Sequence, residues 1–423
     1  MNEVAVATIF LRHQGEVLLL RRSEAVGSYP GRWGAVAGPI EHDAPLDTAY
    51  SEIAEETGLQ EHDVTLAKEG PAFRVEDDER GTTWHVHPFL FDVDTRAIST
   101  NWETEEAEWA SPTALLRRET VPELWTSYRR VAPSVVDLRD DTTHGSAYLS
   151  VRALEVLRDR AGQLATAEAD DIEDPRARLK RTAQRLLGAR PTMAALANRV
   201  HRVMHTSPTD RAPATVETKA HAALQRAYDA ERTAAEVTAD LIDGNRVLTL
   251  SRSGTVAAAL RRGTPASIVV AASQPGGEGI GVADAFADDG ADVTLVPDAA
   301  VASVLATREV DLVLVGADTV HPSGAVVNKV GTRGAALAAR HENVPFYVAC
   351  SVDTVSPAPD ATTETADRRD VYDGPAPLRV WAPRFDRTPP VLLTGGLATD
   401  RGVCAPDAIE TIATELEALR NWQ

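Results

Sequence analysis

Glu52, Glu55 and Glu56 stand at i, i+3 and i+4 in SEIAEETGL, so a helix would project all three carboxylates from one side. Adjacent carboxylates repel one another unless a cation lies between them. Oxygen ligands of this kind suit Mg²⁺, or Mn²⁺, on a phosphate-bearing substrate. The ion would neutralise pyrophosphate oxygens and activate water, leaving a carboxylate as general base. The same spacing also describes a solvated acidic face, which a chain of net charge −20 has reason to carry. A second constellation lies in VDLVLVGADTVHPSGAVVNKVGT, residues 310–332. Its apolar start predicts a buried parallel strand, and Asp318 stands at the carboxyl end, where open α/β sheets bind ligands. Asn328, Lys329, Gly331 and Thr332 follow at an expected helix start, a place suited to phosphate.

The elements that must position these groups are legible in outline. Residues 4–10 and 16–21 predict two strands around a His13-Gln14-Gly15 turn, and Trp84 to Val93 predicts another. Pro45 to Thr57 predicts the acidic helix, with Asp43 or Ala44 near the cap, Pro45 at an early position and Gly58 as the stop. Pro112 to Arg130 reads as one helical stretch, and an α+β domain closes near Pro133. Residues 134–240 are mainly helical: 146–160, 175–187, 193–204 and 216–241. From Val247 onward, short apolar runs (247–250, 268–271, 293–296, 312–315 and 346–349) alternate with Ala-rich helices. That alternation predicts a doubly wound parallel sheet over 241–423. Residues 353–390, rich in Pro, Asp and Thr, predict an extended loop.

Composition narrows the function classes. A length of 423 residues calls for more than one core, and no apolar run is long enough to span a bilayer. Two cysteines, Cys350 and Cys404, make neither a disulfide framework nor a metal pattern. With no secretory signal visible, the expected location is cytoplasmic. A charge of −20 argues against membrane-surface and direct nucleic-acid binding. Only four of the 43 basic residues are lysines (Lys68, Lys180, Lys219 and Lys329). An acidic, lysine-poor surface suits very high salt, which screens self-repulsion, so a halophilic source is expected.

GPIEHDAPLDTAYSEIAEETGL, with the WGAVAG lead-in, resembles the Nudix box across a domain of residues 1–133. The resemblance implies a Nudix fold, Glu52, Glu55 and Glu56 as metal ligands, one of Glu55 and Glu56 as base, and a nucleoside diphosphate derivative as substrate. Ser51 replaces the family's arginine, Ala37-Gly38 its glycine pair, and Asp43 its upstream glutamate.

Farther on, six segments fall in one order: DLRDDTTHGSA (137–147), ARPTMAALANRV (189–200), LTLSRSGTV (248–256), SQPGGEG (273–279), VGAD…GAVVNKVGT (315–332) and FDRTPP (385–390). Together they resemble the family of initiation factor 2B regulatory subunits and the isomerases of methylthioribose 1-phosphate and ribose 1,5-bisphosphate. The resemblance implies a helical subdomain (134–240), a Rossmann-like subdomain (241–423) and a homo-oligomer. By it, Asp318 is the catalytic aspartate, and Arg190, Asn328 and Lys329 line a sugar-phosphate or nucleotide site. Ser251 occupies the position of the catalytic cysteine, and a hydroxyl is far less acidic than a thiol. Gln274 replaces an arginine, while Gly276, Gly277 and Gly279 still let backbone N–H groups approach an anion. Cys350 does not align with the missing cysteine and reads as a small buried residue.

The sequence therefore implies a Mg²⁺-dependent Nudix hydrolase fused to a domain that binds a sugar phosphate or nucleotide. The alternatives are a working aldose–ketose isomerase and a non-enzymatic binding protein in translation initiation.

Overall fold

The computed structural model describes residues 2–41, 44–141, 143–167, 174–205, 212–307, 309–357 and 365–422. Asp43, matched above to the Nudix glutamate and to a helix cap, lies outside them, as does 358–364 of the expected loop. Contacts divide the chain into two compact units. The first comprises Met1–Val135, Leu154–Thr182 and Arg211–Leu224, and the second Val136–Ala153, Ala183–Asp210 and Gln225–Gln423.

The first unit begins with strands β1 (Asn2–His13), β2 (Glu16–Arg22), β3 (Trp33–Gly34) and β4 (Val36–Pro39). Helix α1 (Pro45–Thr57) follows, then β5 (Val64–Glu69), β6 (Phe73–Asp77), β7 (Thr82–Val93), β8 (Thr104–Ala110) and α2 (Leu124–Val131). The eight strands form one mixed sheet in which β1 runs parallel to β7 and antiparallel to β2 and β4. Side chains alternate across a strand, so the apolar run of β1 serves two cores. Ala7, Ile9 and Leu11 pack with Ala49 and Ile53 of α1. Phe10 points the other way, onto Leu124, Tyr128 and Val131 of α2. The expected single helix over Pro112 to Arg130 is broken. A 3₁₀ turn at Pro112–Leu116 is followed by chain that pairs Thr120 with Trp33, and Glu123 takes a left-handed φ of 57° before α2 starts.

Next in the chain come α3 (Val135–Asp140), α4 (Ser146–Thr166), α5 (Pro175–Ala189), α6 (Ala194–Met204) and α7 (Pro213–Ile242). Alternating elements then build the second unit's sheet. They are β9 (Arg246–Leu250), α8 (Gly254–Arg262), β10 (Ser267–Ala271), α9 (Glu278–Asp288), β11 (Val293–Val296), α10 (Val301–Ala306) and β12 (Leu312–Val315). A small β13 (Thr319–Val320) and β14 (Val326–Lys329) precede α11 (Thr332–Glu342) and β15 (Phe346–Ala349). The chain closes with β16 (Phe385–Thr388), β17 (Gly396–Thr399), β18 (Gly402–Cys404) and α12 (Ile409–Glu417).

The main sheet has the order β11-β10-β9-β12-β15-β17-β18, parallel except for β18. Its strands are apolar on both faces because helices cover both. Leu248, Val313 and Phe346 share a core with Ala335 of α11 and Ile412 of α12. Val247, Ile268 and Leu314 share another with Leu260 of α8 and Phe286 of α9. The strand order reverses between β9 and β12, which makes that gap the switch point where such sheets open a crevice.

Asn328 and Lys329 depart from expectation. They belong to β14, in a separate antiparallel sheet β13-β14-β16, rather than to a loop entering a helix. Asp386 explains why the helix waits until Thr332, since its carboxylate accepts hydrogen bonds from the N–H groups of Gly331 and Arg333. The predicted 353–390 loop likewise holds β16, paired residue for residue with β14.

Candidate functional site

In the first unit the acidic helix is fixed at both ends. Pro45 occupies its first turn, and Gly58, at φ 75°, closes it by donating its N–H to Ala54 O. The three carboxylates do not share one environment. Glu56 is buried and accepts a hydrogen bond from Ala37 N–H at 2.8 Å. Glu52 is half-buried and lies against Gly38, where a Cβ would come within 1.7 Å of its Oε1. Glu55 is exposed. The lead-in glycine is thus a packing requirement: only a residue without a side chain leaves room for the Glu52 carboxylate.

Burial raises Glu56 to about 8, and the charges of Glu52 and Glu103 push in the same direction against the Ala37 N–H and Arg22. Burial, with Glu55 and Glu103, raises Glu52 to about 7. Glu103, just before β8, is a neighbour that the sequence did not single out. Its only signal was membership of the acidic run Glu103, Glu105, Glu106. Among the described residues no three His, Cys, Asp or Glu side chains converge as a closed metal-ligand set. The donors that do converge are carboxylate oxygens, the chemistry that Mg²⁺ accepts.

On the other face of the sheet, against α2, lies a cavity lined by Val6, Thr8, Arg22, Tyr29, Trp84 and Leu124 among others. Burial, aided by Asp77, raises the Tyr29 hydroxyl to about 12, so it stays protonated and donates to the Asp77 carboxylate.

In the second unit, one cleft collects most of the remaining expected residues. Arg190, Ser251, Asp318, Asn328 and Lys329 all line it, with Glu231, Glu278 and Cys350. Ser251 follows β9 and Asp318 follows β12, so the two flank the switch point. Gly316 permits the close approach there, since a Cβ would meet Ser253 Oγ at 2.5 Å. Ser251 adopts a left-handed φ of 61°, and its N–H donates to Ser273 Oγ at 2.6 Å. A non-glycine residue in that conformation is uncommon, and here a neighbouring hydroxyl holds it in place. Ser253 caps α8 by accepting from Val256 N–H.

Several expected ligand groups are already engaged. Lys329, 3% exposed, pairs with Glu278 at 2.7 Å and donates to Pro275 O. Arg190 holds the C-terminal end of α3, donating to Leu138 O at 2.8 Å and to Asp141 O. Asn328 donates to Thr332 Oγ1 at 3.0 Å. Gly277 is not among the cleft-lining residues. It precedes α9 at φ 72° and brings Glu278 to the cleft instead. Gly279 seats α9 on β10, where a Cβ would sit 1.9 Å from Ala271 O. Cys350, at the end of β15, reaches the same cleft, but burial followed by the Glu231 charge drives its thiol well upward, so it stays protonated. Glu231 and Glu278 escaped sequence reasoning because nothing local marks a lone acid on a long helix or after a glycine pair.

Residues 142–406 match the initiation factor 2 subunit family. The chain belongs to that family. Residues 1–131 match the NUDIX domain, so an N-terminal Nudix domain is fused to an initiation factor 2 subunit family domain. A methylthioribose-1-phosphate isomerase of Gemmatimonas aurantiaca is 35% identical over 277 residues, 60% of this chain and 77% of the relative. A ribose 1,5-bisphosphate isomerase of Haloferax volcanii is 31% identical over 294 residues, 64% of this chain and 88% of the relative. Methylthioribose-1-phosphate isomerase 1 of Trypanosoma cruzi is 39% identical over 130 residues, and the match spans 27% of this chain and only 35% of that protein. Among solved structures, the Pyrococcus horikoshii translation initiation factor eIF-2B superposes with TM-score 0.55 at 24% identity, covering 65% of this chain and 96% of the other. That likeness concerns the fold. No helix among the described residues is long and apolar enough to cross a membrane.

Proposed function

We propose that the Nudix domain hydrolyses the phosphoanhydride of a nucleoside diphosphate derivative with Mg²⁺ or Mn²⁺, and that the family domain takes up a sugar phosphate or nucleotide. One observation carries the first part: Glu52 and Glu56, four residues apart on α1, are held at the Ala37-Gly38 backbone with mutual repulsion that a cation would relieve. Two carboxylates together with substrate phosphates are a usual Mg²⁺ arrangement. Glu52 and Glu56 would hold the ion, with exposed Glu55 free to assist as ligand or base. When bound, the ion supplies charge neutralisation at pyrophosphate oxygens and a lower pKa for water. The chain's own part is to fix Glu56 through the Ala37 N–H and Glu52 through the space at Gly38. The test is a screen of nucleoside diphosphate derivatives for phosphate release with Mg²⁺ or Mn²⁺ in high salt. Glu56→Gln and Glu55→Gln are expected to lower turnover by about 100-fold or more. Activity surviving both substitutions would overturn the assignment.

A second reading, aldose–ketose isomerisation in the family domain, is favoured by the juxtaposition of Ser251 and Asp318 across the switch point and by isomerases among the relatives. Asp318 would move the proton between sugar carbons. Its partner is the weaker point, because Ser251 has no thiolate and Cys350 stays protonated. Turnover of ribose 1,5-bisphosphate that is abolished in Asp318→Asn would establish this reading. Binding without turnover in the wild type would leave the domain as a sensor. The family domain is also the part expected to form the homo-oligomer, which sedimentation of the full chain would measure.

A further inference from the structure

The charges lining the family-domain cleft divide into engaged and unengaged groups. Four acids line it: Asp141, Glu231, Glu278 and Asp318. Asp141 is bound by His144 at 2.7 Å, Glu231 by Arg199 at 2.8 Å and Glu278 by Lys329, and Asp318 is engaged as well. On the cationic side, Lys329 is consumed by Glu278, and Arg190 is turned onto the carbonyls of Leu138 and Asp141. An incoming phosphate would therefore have to break a buried ion pair to use Lys329. Two further arginines line the same cleft, Arg252 and Arg384. Among the described residues neither has a hydrogen-bond or ion-pair partner for its side chain.

Both arginines stand on rigid backbone. Arg252 lies between Ser251, whose N–H is held by Ser273 Oγ, and Ser253, the cap of α8. Arg384 precedes β16, and its carbonyl accepts Val330 N–H at 3.0 Å, next to the Lys329–Phe385 pair of the β14–β16 ladder. One guanidinium thus comes from the switch-point turn, and the other from the small sheet that carries Asn328 and Lys329. A lone unpaired surface arginine would mean nothing. Two of them on one cleft, in a chain of charge −20 with 63 acidic residues available as partners, call for an anion.

We infer that Arg252 and Arg384 are the phosphate-binding cations of this cleft, and that the Lys329–Glu278 pair serves instead to hold the Pro275–Glu278 loop in place. The inference rests on the sugar-phosphate reading above and names the residues that recognise the phosphate. Planar guanidinium groups bind phosphate bidentately, which matches a phosphorylated sugar with its hydroxyls toward Asp318 and Asn328.

The test is calorimetry on the full chain at one fixed salt concentration, with ribose 1,5-bisphosphate and, separately, inorganic phosphate as probes. Arg252→Gln and Arg384→Gln are each expected to weaken ribose 1,5-bisphosphate binding by about 10-fold, and the double variant further. Melting temperatures should match the wild type, since among the described residues neither side chain has a hydrogen-bond or ion-pair partner to lose. Variants that bind within about 2-fold of the wild type would overturn this inference and leave the sugar-phosphate reading standing. A wild type that binds neither probe would overturn that reading and this inference with it.

Discussion

Glu52, proposed above as a metal ligand, shows how a carboxylate can depend on an absent side chain. Gly38→Ala would place a methyl group within 1.7 Å of its Oε1, so the carboxylate must swing away. Because the clash is with the end of a flexible side chain, folding should persist. Mg²⁺-dependent hydrolysis should fall by about 10-fold or more, measured as phosphate release beside a thermal melt. Another single residue sets a pH response. His201, 3% exposed, accepts a hydrogen bond from Trp422 Nε1 at 2.9 Å, and burial together with Arg420 lowers it from 6.5 to about 4. The folded state therefore binds fewer protons than the unfolded state between these values. Stability from this site is present above about pH 6.5 and is lost as pH falls toward 4. Denaturant melts from pH 7 to 4 should be less steep in pH for His201→Gln than for the wild type. Equal slopes would contradict the assignment. At this scale the sequence yielded the three glutamates and Asp318 through spacing and strand-end position. It did not yield Glu103 or Arg384, whose importance lies in what they face.

At the scale of elements, β1 is the organising strand of the first unit, and its Arg12 makes the decisive contact. Arg12, 3% exposed, pairs with Asp92 of β7 at 2.6 Å and with fully buried Glu155 of α4 at 3.1 Å. Arg158 of the same helix donates to Gly15 O in the β1–β2 turn and pairs with Asp159 at 2.8 Å. Replacing Arg12 with Met would take the buried guanidinium from both Glu155 and Asp92. The expected loss is about 3–5 kcal/mol, read from chemical denaturation of the full chain. A change below about 1 kcal/mol would mean that water reaches Glu155. The part of α4 from Leu154 onward thus joins the first unit through buried charge. Sequence patterning could locate these helices by their period but could not say which unit would receive them.

For the whole molecule, net charge is the governing quantity. With −20 on the chain and four lysines, self-repulsion should weaken the folded state in dilute buffer. Melting temperature is expected to climb as KCl is raised from about 0.1 M to about 2 M, beyond the range in which simple screening saturates. A melting temperature independent of salt would remove the halophilic assignment.

The sequence by itself determined the architecture. Apolar runs alternating with Ala-rich helices dictate a parallel sheet covered on both faces, and the Pro45 and Gly58 signals bound α1 at the residues expected. These are local patterns, written in periods of two and 3.6 residues. What only the tertiary structure decided is the availability of each group. Lys329 and Arg190, the cations that spacing put forward, are consumed by Glu278 and by backbone carbonyls. Asn328 and Lys329 ride a strand because Asp386, far along the chain, takes the N–H groups of Gly331 and Arg333. Glu55, grouped by spacing with Glu52 and Glu56, faces solvent while its neighbours face the Ala37-Gly38 backbone. Burial and pairing depend on residues distant in sequence, so a motif can name the groups at a site but cannot say which remain free to act.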